Sequence, residues 1–381
     1  MTKNEMEETS KLFPASECRA ELRQKHQRIQ QFLAEHSLDA LLVSRHENIA
    51  WATAGLVEMR VAIPSETAVG SLLFTRNGQR YYLTTNNEAP RLAQEEFASL
   101  DYNPILQPWY ANDVQASIQK IAGKGNVAGD DLSSGLPLVS MQPLRLSLTE
   151  SEIERYRWLG EHTAEAVTDV LLALRPGVTE LTMQAMIAGR LLAQGILPTV
   201  FLMGTDDRIR KFRHAVPRNG VLQHFGMVNI CARRWGLAIS ITRYVHFGAM
   251  PVELSEKFTV ATHVNAHLWH ATRQGATSDA LYLVAQRAYA ELGFPGEEQL
   301  HHQGGAAGYA EREWIASPGG TQRVLGNQAF AWNPSIQGAK VEDTIVLHQG
   351  KIASLTPTPR LPVVTPTCDG SVYQSAGVLL A

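Results

Sequence analysis

The 381 residues carry 34 Lys and Arg against 37 Asp and Glu, a net charge of -3, with 44% hydrophobic and 19% charged residues. These values describe a folded globular chain and exclude wholesale disorder and any general attraction to nucleic acid or acidic lipid. Cys18, Cys231 and Cys368 are far apart and odd in number, the opening MTKNEMEETSKLF is too polar for a signal peptide, and no run of about 18 apolar residues follows, so a cytoplasmic protein without a disulfide framework or membrane span is expected.

Residues 21–37 read as an amphipathic helix with Leu22, Ile29, Phe32 and Leu33 on one face. Leu38–Ser44 is an apolar run suited to a buried strand. Gly70–Phe74 and Gln79–Thr84 flank Asn77-Gly78, a hairpin signal. Val114–Ala122 is the next helix, followed by a short strand near Asn126–Ala128. This alternation predicts a small α/β domain with a partly parallel sheet. A Ser-, Pro- and Leu-rich stretch, Leu132–Leu146, marks the boundary. Thr149-Glu-Ser-Glu152 then spells a capping box that opens a long helix through Leu174.

From there the chain repeats. Arg175, Gly177, Thr179 and Gly195 recur as Arg273, Gly275, Thr277 and Gly293, each 98 positions on. Each helical stretch leads to a strand pair, Met227–Gly248 and Phe330–Gly350. Between these, Ser240, Thr242, His246 and Gly248 match Glu342, Thr344, His348 and Gly350 at 102 positions. Paired hairpins can aim several side chains into one cleft, and here those positions hold Asn229, Ser240, Asn333 and Glu342.

Several motifs carry a family resemblance: Arg213-His214-Ala-Val-Pro217, Ser240-Ile-Thr-Arg243, His301-His-Gln-Gly304-Gly305, Trp332-Asn-Pro334 and Val341-Glu-Asp-Thr344. On these the chain resembles the aminopeptidase P / prolidase / creatinase family. The resemblance implies an α+β fold with a pita-bread domain over residues 147–381, its helix-plus-antiparallel-hairpin units duplicated about a pseudo-two-fold. A smaller N-terminal α/β creatinase-like domain would span residues 1–146. It also implies a homodimer.

Metallopeptidases of that family bind two divalent ions through two Asp, one His and two Glu. The positions that match are Asn229, Ser240, His302, Asn333 and Glu342, so three carboxylates are missing. Paired hard cations need anionic oxygens to replace their water shells. No metal and no cofactor are therefore expected. Cys231, two residues after Asn229, offers with His302 and Glu342 an alternative three-ligand zinc site, against the plainer reading of a core cysteine.

Relatives that lost their metals use a histidine that resembles His214. The family's second histidine falls on Tyr309, a possible proton or hydrogen-bond donor. His214, His302, Tyr309 and Glu342 are the expected catalytic set, with His302 or Arg243 as the partner of a buried Glu342. Asn229, Ser240, Asn333, Arg312, Trp332 and Arg60 are the expected substrate-binding set. Trp332 is the best placed of Trp51, Trp109 and Trp332 to wall a pocket, and Arg233 and Arg234 are further candidates for an anion. The function expected is metal-independent hydrolysis or elimination at a C–N bond of a small polar nitrogenous compound. The alternatives are an Xaa-Pro metallopeptidase with a reduced metal site and a non-catalytic binding protein. A small molecule is the expected ligand, with no nucleic acid or membrane partner.

Overall fold

The computed structural model describes residues 12–381. It divides into two compact units, 13–145 and 146–381. In the N-terminal unit, helix α1 (Ala15–Glu35) buries Ile29, Phe32 and Leu33, as its periodicity demands. Strand β1 (Ala40–Arg45) is followed by helix α2 (His46–Ala52) and the hairpin β2 (Thr67–Thr75) and β3 (Arg80–Thr85). Gly78 sits in that turn at φ +86°, a conformation that costs glycine little. Strand β4 (Asn103–Gln107), helix α3 (Val114–Ala122) and strand β5 (Val127–Gly129) complete the unit. Asp113 caps α3 by accepting from the Ala116 N–H. The sheet order is β4-β3-β2-β1-β5, with parallel pairing at β3–β4 and β1–β5 and antiparallel pairing within.

The C-terminal unit opens with helix α4 (Glu150–Ala173), where Thr149 and Glu152 form the reciprocal capping box. The first repeat continues with α5 (Glu180–Leu192) and strands β6 (Leu197–Thr205), β7 (Phe225–Arg234) and β8 (Leu237–His246). The second has α6 (Val252–Ala271), α7 (Ser278–Glu291), β9 (Gly304–Ala307), β10 (Trp314–Ile315), β11 (Gln328–Trp332), β12 (Asp343–His348) and β13 (Lys351–Ser354). The hairpin β14 (Thr367–Cys368) and β15 (Ser371–Val372) follows.

The repeat is visible in detail. Thr179 caps α5 through the Thr182 N–H, and Thr277 caps α7 through the Ala280 N–H. Single β-bridges join Thr179 to Val221 and Thr277 to Arg323. One sheet runs β8-β7-β6 and the other β10-β9-β11-β12-β13. They touch where the Thr242 N–H donates to the Glu342 carbonyl at 3.1 Å, an isolated bridge between the two. A core of Trp269, Tyr289, Trp314, Phe330 and Trp332 lies between the second sheet and its helices. Among the described residues no helix is long and apolar enough to cross a membrane.

Candidate functional site

The candidate site gathers at that junction because strand alternation puts every second residue on one face. On β7 those are Asn229 and Cys231, and on β8 Ser240 and Thr242, all buried. The tight turn at Trp235 and Gly236, with φ +53° and +81°, sets the register that pairs Cys231 with Ser240 and Asn229 with Thr242. In the second half Trp332 pairs with Asp343 and Ser335 with Lys340, and this register places Asn333 opposite Glu342.

Glu342 is the centre. It is 3% exposed, and its two oxygens are taken by opposite cations. Arg312 Nη2 donates to Oε1 at 3.0 Å, and Lys340 Nζ donates to Oε2 at 3.0 Å. Thr242 Oγ1 donates to Oε2 at 2.7 Å, and the Asn229 amide donates to the same oxygen. Burial pushes the Glu342 carboxyl up, but Lys340 and Arg312 hold it down at about 2. Arg312 also donates from Nη1 to Ser240 Oγ at 3.1 Å, and Ser240 Oγ lies 3.2 Å from Cys231 Sγ. Burial, with Glu342 next, raises the Cys231 thiol to about 11.

The histidines lie together. His214 Nε2 and His301 Nε2 are 3.0 Å apart, so one imidazole donates to the other, and His301 stacks on His302 with ring centroids 4.5 Å apart. Burial, then Lys340, lowers His214 and lowers His301 to about 3. Burial, then Arg312 and Lys340, lowers His302 to about 4, although the residue as a whole is exposed. In all three the shift favours the neutral imidazole. Gly304 makes this turn possible: its φ is +103°, and a Cβ there would run into the Ala331 carbonyl and Asn333 Oδ1.

Several expected roles change. Tyr309 is fully buried and its hydroxyl donates to Glu152 in the first turn of α4 at 2.5 Å, so the expected donor is committed to the helix–sheet contact. Trp332 is also fully buried, stacks on Phe330 and donates from its indole to Thr272, because it alternates with Asn333 and faces the core. Trp51 is buried within the N-terminal unit and Trp109 is 67% exposed. Arg60 lies in the N-terminal unit, where its N–H donates to Glu58.

Neither expected partner holds the Glu342 carboxylate. Arg243 pairs with Asp343 at 2.6 Å, and the cations on Glu342 are Lys340 and Arg312. Asn229 and Ser240 spend their polar atoms on protein groups, whereas Asn333 Oδ1, His301 Nδ1 and Arg312 Nε are buried without a partner. Arg233 pairs with Glu311, and Arg234 lies over the Trp158 and Trp235 rings. Lys340, Thr242 and His301 are additions to the site. Lys340 was findable, since it stands two residues before Glu342, the spacing that puts extended-chain side chains on one side.

This donor set does not fit a pair of divalent ions. The single carboxylate among the five matching positions is already neutralised by an ammonium and a guanidinium, and three of the remaining four positions are neutral amide or hydroxyl oxygens.

A model described as metallopeptidase family M24 matches residues 154–349, and one described as the creatinase/prolidase N-terminal domain matches residues 25–155. An Xaa-Pro dipeptidase of Lactobacillus delbrueckii subsp. lactis is 27% identical over 229 residues, which is 56% of this chain and 61% of that protein. The chain thus aligns with less than two thirds of that curated relative. The solved dipeptidase PepE of Mycobacterium ulcerans is similar with a TM-score of 0.75 at 16% identity, over 95% of this chain and 99% of that one. An Xaa-Pro dipeptidase from Bacillus anthracis gives 0.72 at 16% identity, over 94% and 100%. The architecture is the pita-bread fold preceded by a creatinase-like domain.

Proposed function

This chain belongs to metallopeptidase family M24, and we propose that it hydrolyses an amide-type C–N bond of a small, carboxylate-bearing, dipeptide-like substrate without the paired metal ions. One observation carries the reading: Lys340 and Arg312 both bind Glu342, so two cations, one buried and one half-buried, face one carboxylate. The surplus positive charge repels a divalent cation and attracts a substrate carboxylate or a developing oxyanion. The neighbouring ion pair, Arg233 with Glu311, adds no net charge.

The neutral imidazoles supply proton transfer. His214 accepts a proton from the attacking water while the new C–O bond forms and the carbonyl electrons move onto oxygen. The imidazolium then protonates the departing nitrogen as the C–N bond breaks. His301, 3.0 Å from His214, fixes its ring orientation. Lys340 and Arg312 stabilise the oxyanion, and Asn333 Oδ1 accepts from a substrate N–H.

A second reading is an Xaa-Pro dipeptidase with one retained ion. The 27% identity to an Xaa-Pro dipeptidase favours it, as do the retained His302 and Glu342. The test is hydrolysis of a panel of Xaa-Pro and other small amide substrates, with and without chelator and Mn2+. Turnover that ignores chelator and is abolished in His214→Gln supports the first reading. Turnover that vanishes with chelator and returns with Mn2+ overturns it in favour of the second. Binding of the panel without turnover overturns both.

A further inference from the structure

A second cluster of chemistry-bearing groups lies outside the cleft, where the C-terminal hairpin packs on α6. We propose that His270, Cys368 and Asp369 form a binding site for a borderline-soft divalent transition ion, zinc being the best match, that fastens the β14–β15 hairpin to helix α6. One ligand atom from each of the three residues lies within 4.8 Å of the other two. His270 Nε2 is 3.4 Å from Asp369 Oδ2. Tetrahedral bonds of about 2.0 to 2.3 Å imply ligand–ligand edges of roughly 3.3 to 3.8 Å, so small rotamer adjustments close the site. The mixture of imidazole, thiol and carboxylate favours zinc over magnesium or calcium, which take oxygen only.

The local fold builds this arrangement. Asp369 and Gly370 have φ of +46° and +72°, making a tight two-residue turn with Cys368 paired to Ser371. That turn sets the Asp369 carboxylate beside the Cys368 sulfur and above α6. The other nitrogen of His270, Nδ1, lies 2.9 Å from the Tyr373 hydroxyl, which orients the ring with Nε2 toward Asp369. Cys368 is 6% exposed, and its sulfur is 3.4 Å from His267 Nδ1 on the preceding turn of α6. On metal binding the thiol proton passes to His267, the S–H bond breaks and the sulfur–metal bond forms. The fourth position opens to solvent beside Asp369, whose side chain is 80% exposed.

A cation already uses this slot. Arg273, on the exposed turn after α6, donates from Nη2 to His270 Nε2 at 2.8 Å. A metal ion displaces that guanidinium into solvent. The site therefore has three ligands, an oriented imidazole, a proton acceptor and a removable competitor, none of them part of the cleft.

The test is titration of the full chain with Co2+ and then Zn2+. One equivalent of Co2+ is expected to give a thiolate-to-cobalt charge-transfer band that Zn2+ abolishes. The band persists in Cys231→Ser and disappears in Cys368→Ser. His270→Ala weakens Zn2+ binding by about 10- to 100-fold, a loss comparable to that of removing a metal's supporting groups. Arg273→Ala tightens it. Circular dichroism checks that each variant is folded, and His270→Ala serves if Cys368→Ser is not. No thiolate band in the wild-type chain, or a band that survives in Cys368→Ser, overturns the proposal.

Discussion

In the first half of the C-terminal unit Gly177, at φ +96°, turns the chain and Thr179 caps α5; in the second half Gly275, at +91°, and Thr277 do the same for α7. The strands that follow part company. The first half gives the site Asn229, Cys231, Ser240 and Thr242, none of them charged, with His214 from the stretch before β7, and the second gives Glu342, Lys340, Arg312 and the His301–His302 pair. A helix start needs a side-chain acceptor for an orphan N–H and a turn at positive φ needs glycine, so the frame tolerates few substitutions. A cleft position needs only that its polar atoms find partners, and a neutral set can do this once the charges around it are rebalanced. The two halves thus share a scaffold and divide the electrostatics.

The sharpest way to break this comparison is to alter equivalent positions in the two halves. Glu342→Ala leaves Lys340 and Arg312 facing each other without their shared carboxylate, and a loss of about 3 to 5 kcal/mol is expected. Ser240→Ala, its counterpart 102 positions earlier, is expected to cost only about 1 kcal/mol. Urea unfolding of both variants measures the difference. Equal losses would mean that the second half does not carry the charge balance.

Acid sharpens it further. The lowered histidines of the second half remain neutral in the folded chain while the unfolded chain takes up protons from about pH 6.5 downward. Stability therefore falls as pH drops below 6.5, and for His301 continues to fall until about pH 3. Glu342 adds a loss between its ordinary value of 4.5 and about 2. Unfolding midpoints at pH 7.5, 6 and 5, compared with His301→Asn, should show a shallower slope in the variant. An unchanged slope would remove His301 from the account.

The smallest expected effect concerns the shared frame. Thr179→Ala and Thr277→Ala each remove one capping hydrogen bond, and each should lower stability by about 1 kcal/mol. Thermal melts of the two variants should shift alike. A marked inequality would mean that the two helix starts are not equivalent.

Much of the frame was legible in the chain. The Thr149 capping box, the Asn77-Gly78 turn, the α3 boundaries and the glycines of the repeat all act within a few residues, so their meaning is local. The cleft was legible in part. Arg312 pairs with Glu342 and His214 lies against His301, but Tyr309 and Trp332 face the interior. Tyr309 is drawn inward by Glu152, more than 150 positions away, which no spacing in the sequence reveals.

The sequence alone determined which groups are available: Asn229, Ser240 and Asn333 where the resemblance would put carboxylates, two adjacent histidines before Gly304, and a doubled helix-and-hairpin unit. Which cation meets Glu342 was decided by tertiary structure, where Lys340 and Arg312 took the place expected of His302 or Arg243. The reason is physical. Local propensity and strand alternation act along the chain, whereas the partner of a buried charge is set by which strands cross within a few ångströms of it, and the Thr242–Glu342 bridge joins residues 100 positions apart.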